Sequence, residues 1–159
     1  AVLAGLMRVY SDTVNMVNAP FLAKERGLDV REVRHDREGD YQTLVRVTVT
    51  TESGERSVAG TLFGHASPRL VELFGIKVEA DLDGTMLYIV NQDAPGFIGR
   101  LGSTLGAADV NIGTFHLGRR NQGGEAVLLL SVDGTVTEPL RWEICNLTGV
   151  KQVKVLRFA

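Results

Sequence analysis

Residues Asn91 to Asn111 read NQDAPGFIGRLGSTLGAADVN, and the rest of the chain is organised around them. An apolar run, Met86 to Val90, enters the stretch as a strand. Pro95 and Gly96 turn it into a helix over about 96–108, with Ile98, Leu101, Leu105 and Ala108 at helical spacing. Asn111 opens the next strand. Three short polar side chains, Asn91, Asp93 and Asn111, are therefore expected to converge near one helix N-terminus. The free N–H groups of Gly96, Phe97 and Ile98 and the positive end of the helix dipole favour a carboxylate there. Asp93 can accept from an ammonium, and the two asparagines offer donors and acceptors. That combination suits a free amino acid, held by a sensor rather than a catalytic centre. The plainer alternative is local: Asp93 caps the helix and Asn111 makes an Asx turn.

Outward from this stretch the order is strand, helix, strand, strand, helix, strand. The strands are expected at about 85–91, 110–118, 125–132 and 150–158, and the helices at 96–108 and 137–147. Arg119 to Gly124 is a turn. Thr137 and Glu138 before Pro139 start the second helix, with Leu140, Ile144 and Leu147 as its inner stripe. The pattern is the ferredoxin-like split βαβ, with both helices on one face of the sheet and the other face needing a cover. Gly99, Gly102 and Gly106 lie inside the first helix, each costing roughly 1 kcal/mol against alanine. Close packing against the sheet or a second subunit is the expected reason. The spacing is not that of a phosphate loop, since no Gly-Lys-Ser or Gly-Lys-Thr is present.

Before the short linker Leu82-Asp83-Gly84 the pattern differs. Residues 1–10 repeat Val2, Leu3, Leu6, Met7 and Tyr10 at helical spacing. A second helix is expected from about 19 to 26, with Pro20 in its first turn and Gly27 past its end. Strands are expected at Val30 to His35, an edge; at Tyr41 to Thr50, where Val45, Val47 and Val49 share a face; and at Arg56 to Gly64 after a turn at 52–55. In that last strand both alternating sets are apolar, which predicts burial on both sides. Arg69 to Leu73 and Lys77 to Ala80, joined through Phe74-Gly75, form a further hairpin. His65, Arg69 and Lys77 could together receive a phosphate or carboxylate, or be three solvated surface residues. His35, among Arg34, Asp36 and Arg37, reads as solvated. The expected class is α+β: an antiparallel sheet domain with one or two helices over 1–83, then a ferredoxin-like βαββαβ domain over 84–159.

Composition bounds function. The 159 residues are 44% hydrophobic and 23% charged, with a formal charge of −2. No dense basic run offers a nucleic-acid grip. No segment approaches the roughly 18 continuous apolar residues of a membrane helix, and the first ten residues lack a signal-peptide pattern. A single cysteine, Cys145, excludes an internal disulfide and a zinc cluster and reads as a small core residue. The chain starts at Ala1 without methionine, as a piece cut from a longer protein would, so the first domain is expected to be truncated at its N-terminus.

Several stretches carry a resemblance. LYIVNQDAPGFIG (87–99), DVNIGTFHLGR (109–119) and GGEA (123–126) resemble the ACT domain of D-3-phosphoglycerate dehydrogenase, the last two in its long bacterial form. VNAPFLAKERG (17–27), VAGTLFG (58–64) and PRLV (68–71) with Gly75 resemble that family's intervening, allosteric substrate-binding domain. The resemblance covers nearly the whole chain. It implies the C-terminal regulatory part of a cytoplasmic enzyme that oxidises 3-phosphoglycerate with NAD at the first step of serine biosynthesis. It also implies ACT domains pairing between subunits into an eight-stranded sheet, with L-serine or another amino acid at the seam. By position, Asn91, Asp93 and Asn111 would be the contacts. Some members place histidine or tyrosine at the position of Asn91 and asparagine at that of Asp93. Arg69 matches a basic position of the intervening domain, His65 and Lys77 less closely. The catalytic domains are expected to be partners outside this chain: no strand–GxGxxG–helix unit and no histidine–acid pairing is found. No catalytic residue, metal or cofactor is therefore expected within the chain. Two other readings remain: a dimerisation module without ligand, and the small domain of an iron–sulfur L-serine dehydratase. The latter would need thiolates beyond Cys145.

Overall fold

The computed structural model describes residues 2–34, 41, 43–52, 54–64 and 67–158. The chain divides into two compact units, Ala1–Asp40 and Tyr41–Ala159. The first is a helical hairpin of α1 (Val2–Met7) and α2 (Ala19–Glu25). Ala4, Met7, Val14, Ala19 and Ala23 form its small core. Asn15 and Asn18 close the loop between the helices, the Oδ1 of each accepting a backbone N–H of the other, at 2.8 and 3.0 Å. Pro20 lies in the first turn of α2, as expected. The strand expected at Val30 to His35 is not there: residues 30–34 are without regular structure and exposed, and His35 falls outside the described residues. The stretch is short and charged, and its two valines, Val30 and Val33, are three residues apart and both exposed, so no apolar face anchors a strand there.

In the second unit, β1 (Leu44–Thr51), β2 (Gly54–Phe63), β3 (Ser67–Leu73) and β4 (Ile76–Asp81) make an antiparallel sheet in chain order. Burial on both sides of β2 is corrected by the structure. Ala59 and Thr61 are buried, whereas Leu62 is 47% and Phe63 38% exposed. The β3–β4 turn uses two residues, Phe74 and Gly75, with φ of 52° and 74°. Two successive positive φ values match the twist of a tight hairpin.

A second sheet follows: β5 (Thr85–Gln92), β6 (Asn111–Arg119), β7 (Glu125–Asp133) and β8 (Val150–Arg157), in the order β6-β7-β5-β8. With α3 (Phe97–Ala107) and α4 (Glu138–Cys145) it completes the expected βαββαβ pattern. Thr137 caps α4, its Oγ1 accepting from the N–H of Leu140. Alternation along the central strands feeds two cores. Leu87, Ile89, Leu128 and Leu130 face α3 and α4 and meet Phe97, Leu101, Leu105, Leu140 and Ile144. Met86, Tyr88, Val90, Val127 and Leu129 face the other way and meet Leu70, Ile76, Val78 and Ala80. The β3–β4 end of the first sheet thus covers the face that the helices leave open. Cys145 packs at the margin of the helix-side core.

The two sheets meet closely at Gly118, the one fully buried residue of β6. A Cβ there would stand 2.5 Å from the Lys77 carbonyl oxygen and 2.8 Å from Ile76 Cγ2. The stripe Gly99, Gly102 and Gly106 behaves differently. A Cβ at any of the three would meet nothing within 4 Å. Packing of the stripe against the sheet is therefore overturned, because Phe97, Leu101 and Leu105 carry the inward face.

Candidate functional site

Strand β5 delivers Asn91 and α3 begins six residues later. Asn91 is 2% exposed and lies in alternation with Leu87 and Ile89, on the helix side of the sheet. Its Nδ2 donates to the Gln92 carbonyl at 2.7 Å, while its Oδ1 is buried with no hydrogen-bond partner. A buried carboxamide oxygen left unpaired is destabilising by about 1–3 kcal/mol; among the described residues it shares this state with Arg69 Nε and the Tyr88 hydroxyl.

The N-cap of α3 is Gly96, with φ of 81°. That left-handed conformation suits glycine, and glycine brings no side chain to cap the first N–H groups. The expected capping by Asp93 is not made. The Arg100 guanidinium lies over this end, with Nη1 3.1 Å from where a Gly96 Cβ would be. An uncapped helix start under a guanidinium is an electropositive seat for an anion. Of the residues expected to offer N–H groups, Phe97 turns its ring into the core and donates its N–H to the Ala94 carbonyl at 3.3 Å, and Ile98 is 51% exposed. Ile98 was expected in the apolar stripe; Phe97, four residues before Leu101, takes that place instead.

Asp93 looks elsewhere. Its Oδ2 accepts from Arg119 Nη1 at 3.2 Å and from the Gly123 N–H at 3.2 Å. Its own N–H donates to the Gly124 carbonyl at 2.8 Å, and Gln92 Nε2 donates to the Gly123 carbonyl. The segment before α3 is thus clamped to the β6–β7 turn. Arg120 of the same turn donates to the Phe74 carbonyl at 2.8 Å. Neither arginine was singled out by sequence reasoning. Arg119 lies 26 residues from Asp93, and no local pattern signals a pair of that separation.

Asn111 does not join Asn91 within one chain. On β7, Asn91 is paired with Ala126 and Asn111 with Asp133, at opposite ends of the strand. At about 3.4 Å per residue that is roughly 24 Å. Asn111 Nδ2 donates to Asp133 Oδ2 at 3.0 Å, in place of an Asx turn.

The other expected cluster is distributed along the β3–β4 hairpin. Arg69 stands opposite Asp81, with Nε 2.9 Å from Oδ1 but out of line for a hydrogen bond, and its guanidinium lies over the Phe63 ring. Lys77 stands opposite Glu72. The hydrogen bond from Arg46 holds the Glu72 carboxyl below its ordinary range, with the charge of Lys77 adding to it. Each cation thus has an acid across the hairpin. His65 lies outside the described residues. Among the described residues, no group of three or more His, Cys, Asp or Glu is placed to hold a metal ion, and no helix is long and apolar enough to cross a membrane.

Comparison with known proteins points in one direction. Residues 1–74 match the family model of the D-3-phosphoglycerate dehydrogenase intervening domain. A D-3-phosphoglycerate dehydrogenase of Bacillus subtilis is 36% identical over 98% of this chain and 30% of its own length. That of Synechocystis is 31% identical over 99% of the chain and 28% of its own length. That of Methanocaldococcus jannaschii is 34% identical over 90% and 27%. The chain spans under a third of the length of these relatives.

Proposed function

We propose that this chain, which belongs to the D-3-phosphoglycerate dehydrogenase family, is the regulatory and assembly region of such an enzyme and takes L-serine or another amino acid as effector. Residues 1–83 are then its intervening, allosteric substrate-binding domain and 84–159 its ACT domain. The whole enzyme would be cytoplasmic and use NAD in catalytic domains beyond these residues, in serine biosynthesis.

The observation that carries the effector reading is the unpaired Asn91 Oδ1, on the strand that leads into the uncapped start of α3. An amino acid can supply further partners: its carboxylate meets the N–H groups of Gly96 and Ile98 and Arg100, the Phe97 N–H already donating to the Ala94 carbonyl at 3.3 Å, and its ammonium or hydroxyl donates to Asn91. Asn111 enters through a second copy. Strand β6 is an edge of its sheet. Pairing it antiparallel with its counterpart brings the Asn111 end of one copy to the Asp93–Arg119 end of the other, extending the sheet to eight strands. The open glycine face of α3 then offers room for a neighbouring backbone. An anion at Arg69 or Lys77, by contrast, has to compete with Asp81 and Glu72.

Calorimetric titration with L-serine tests the reading. Asn111→Ala is expected to weaken binding by about 1–3 kcal/mol if its amide pairs with buried ligand groups. No heat at millimolar serine would sink the effector part. A second reading, a pairing module without ligand, is favoured by the Asp93 carboxylate already being engaged by Arg119 and Gly123. A sedimenting dimer indifferent to every amino acid would support it, and a monomer would remove both.

A further inference from the structure

We propose that Arg119 is the resident cation of the effector site, occupying at Asp93 the place of a ligand ammonium and thereby setting which ligand class the site accepts. The inference rests on the reading of α3's N-terminus as an amino-acid site. Three observations carry it. First, Asp93 is the sheltered partner of the pair, with its side chain 23% exposed against 56% for Arg119. A carboxylate so placed cannot be fully rehydrated when its counter-ion leaves, so another cation gains by taking the position. Second, Asp93 does not depend on Arg119 for its place. The Gly123 N–H still holds Oδ2, and the backbone bond to Gly124 still holds the segment. Removing the guanidinium therefore leaves a formed, negatively charged receptor. Third, the remaining charges nearby do not substitute for it. Arg100 lies on the helix start, where the ligand carboxylate goes. On β7, Glu125 is paired with Lys151 at 3.0 Å. Arg120 is turned to the Phe74 carbonyl.

Charge balance then decides ligand class. With Arg119 on Asp93 the pair is neutral, while Arg100 and the helix start remain positive. Such a site attracts a carboxylate without requiring an ammonium, so a 2-hydroxy acid fits as well as the amino acid of the same skeleton. With Arg119 absent, the bare carboxylate demands an ammonium and repels a ligand that lacks one. An amino acid binding to the natural chain must displace a guanidinium, which lowers its apparent affinity by the fraction of sites so blocked.

The test titrates the full 159-residue chain with L-serine and with glycerate of matching configuration, as wild type, Arg119→Ala and Arg119→Lys. In the alanine variant serine is expected to bind about two- to fivefold tighter, the range of a partly exposed ion pair, and glycerate more weakly. The lysine variant keeps a cation and stays near wild type. Serine binding that is weaker or unchanged in the alanine variant, or an unchanged serine-to-glycerate preference, overturns the inference. If neither ligand binds any variant, the effector reading falls, and the role of Arg119 is decided by methylammonium alone. The Gly123 amide resonance should respond to it in Arg119→Ala and not in wild type; an unresponsive variant overturns the inference by itself.

Discussion

Replacing Gly118 with alanine adds one methyl group where the two sheets meet closely. The new Cβ would lie 2.5 Å from the Lys77 carbonyl oxygen, 2.8 Å from Ile76 Cγ2 and 3.1 Å from Val78 Cβ. The first of these is backbone, fixed in the β3–β4 ladder, so no side-chain rotation relieves it. Separating the sheets far enough would loosen contacts of Ile76 and Val78 with Val127 and Leu129 in their shared core. Overpacking of this kind is destabilising by about 1–3 kcal/mol, and a backbone obstacle places Gly118→Ala at the upper end, near 3 kcal/mol. The control is Gly99→Ala. It adds the same methyl group in α3, where nothing lies within 4 Å, and should stabilise by up to about 1 kcal/mol through helix propensity. Urea unfolding of both variants reads the two signs as shifts of the midpoint at constant slope. A Gly118→Ala midpoint equal to that of wild type would refute the packing of β4 on β6.

Two further predictions concern titrating groups. Burial pushes the Tyr88 hydroxyl up to about 12, and that hydroxyl has no hydrogen-bond partner. Tyr88→Phe should therefore stabilise by about 1 kcal/mol at pH 8. Its advantage should widen above pH 10, where unfolded tyrosine ionises and the folded group does not; a less stable phenylalanine variant in urea would contradict this. Glu72 is lowered by its hydrogen bond from Arg46, so its contribution is present above the unfolded value near 4.3 and fades as pH falls through the lower folded value. Glu72→Gln should be about 0.5–1 kcal/mol less stable at pH 7 and converge on wild type in acid, as followed by thermal unfolding at both pH values.

Local chemistry made much of this architecture readable before any coordinates. Pro20, Phe74-Gly75, Pro95-Gly96 and Thr137 with Pro139 punctuate the chain where turns and helix starts occur. The alternation of Leu128 and Leu130 with Val127 and Leu129 marks a strand with two apolar faces. What stayed hidden depends on distant partners. Val30 and Val33 are exposed and have nothing to pack on. The glycines of α3 look like a packing face until the neighbouring volume proves open. For the site, the residue types at Asn91, Asp93 and Asn111 were legible, but their disposition was not. Strand pairing sends Asn111 to the far end of the sheet, and Asp93 turns to an arginine 26 residues away.

The core shared by the two sheets also limits how this region can be divided or exchanged. The intervening-domain match ends at residue 74, inside the turn between β3 and β4, and a cut there would separate two paired strands. A cut at the 82–84 linker spares both sheets but uncovers Met86, Tyr88, Val90, Val127 and Leu129 together. Grafted onto another protein, residues 84–159 would carry a sticky apolar surface unless they brought their cover with them. For recombination, natural or engineered, the inheritable piece of the second unit is both sheets, not either one.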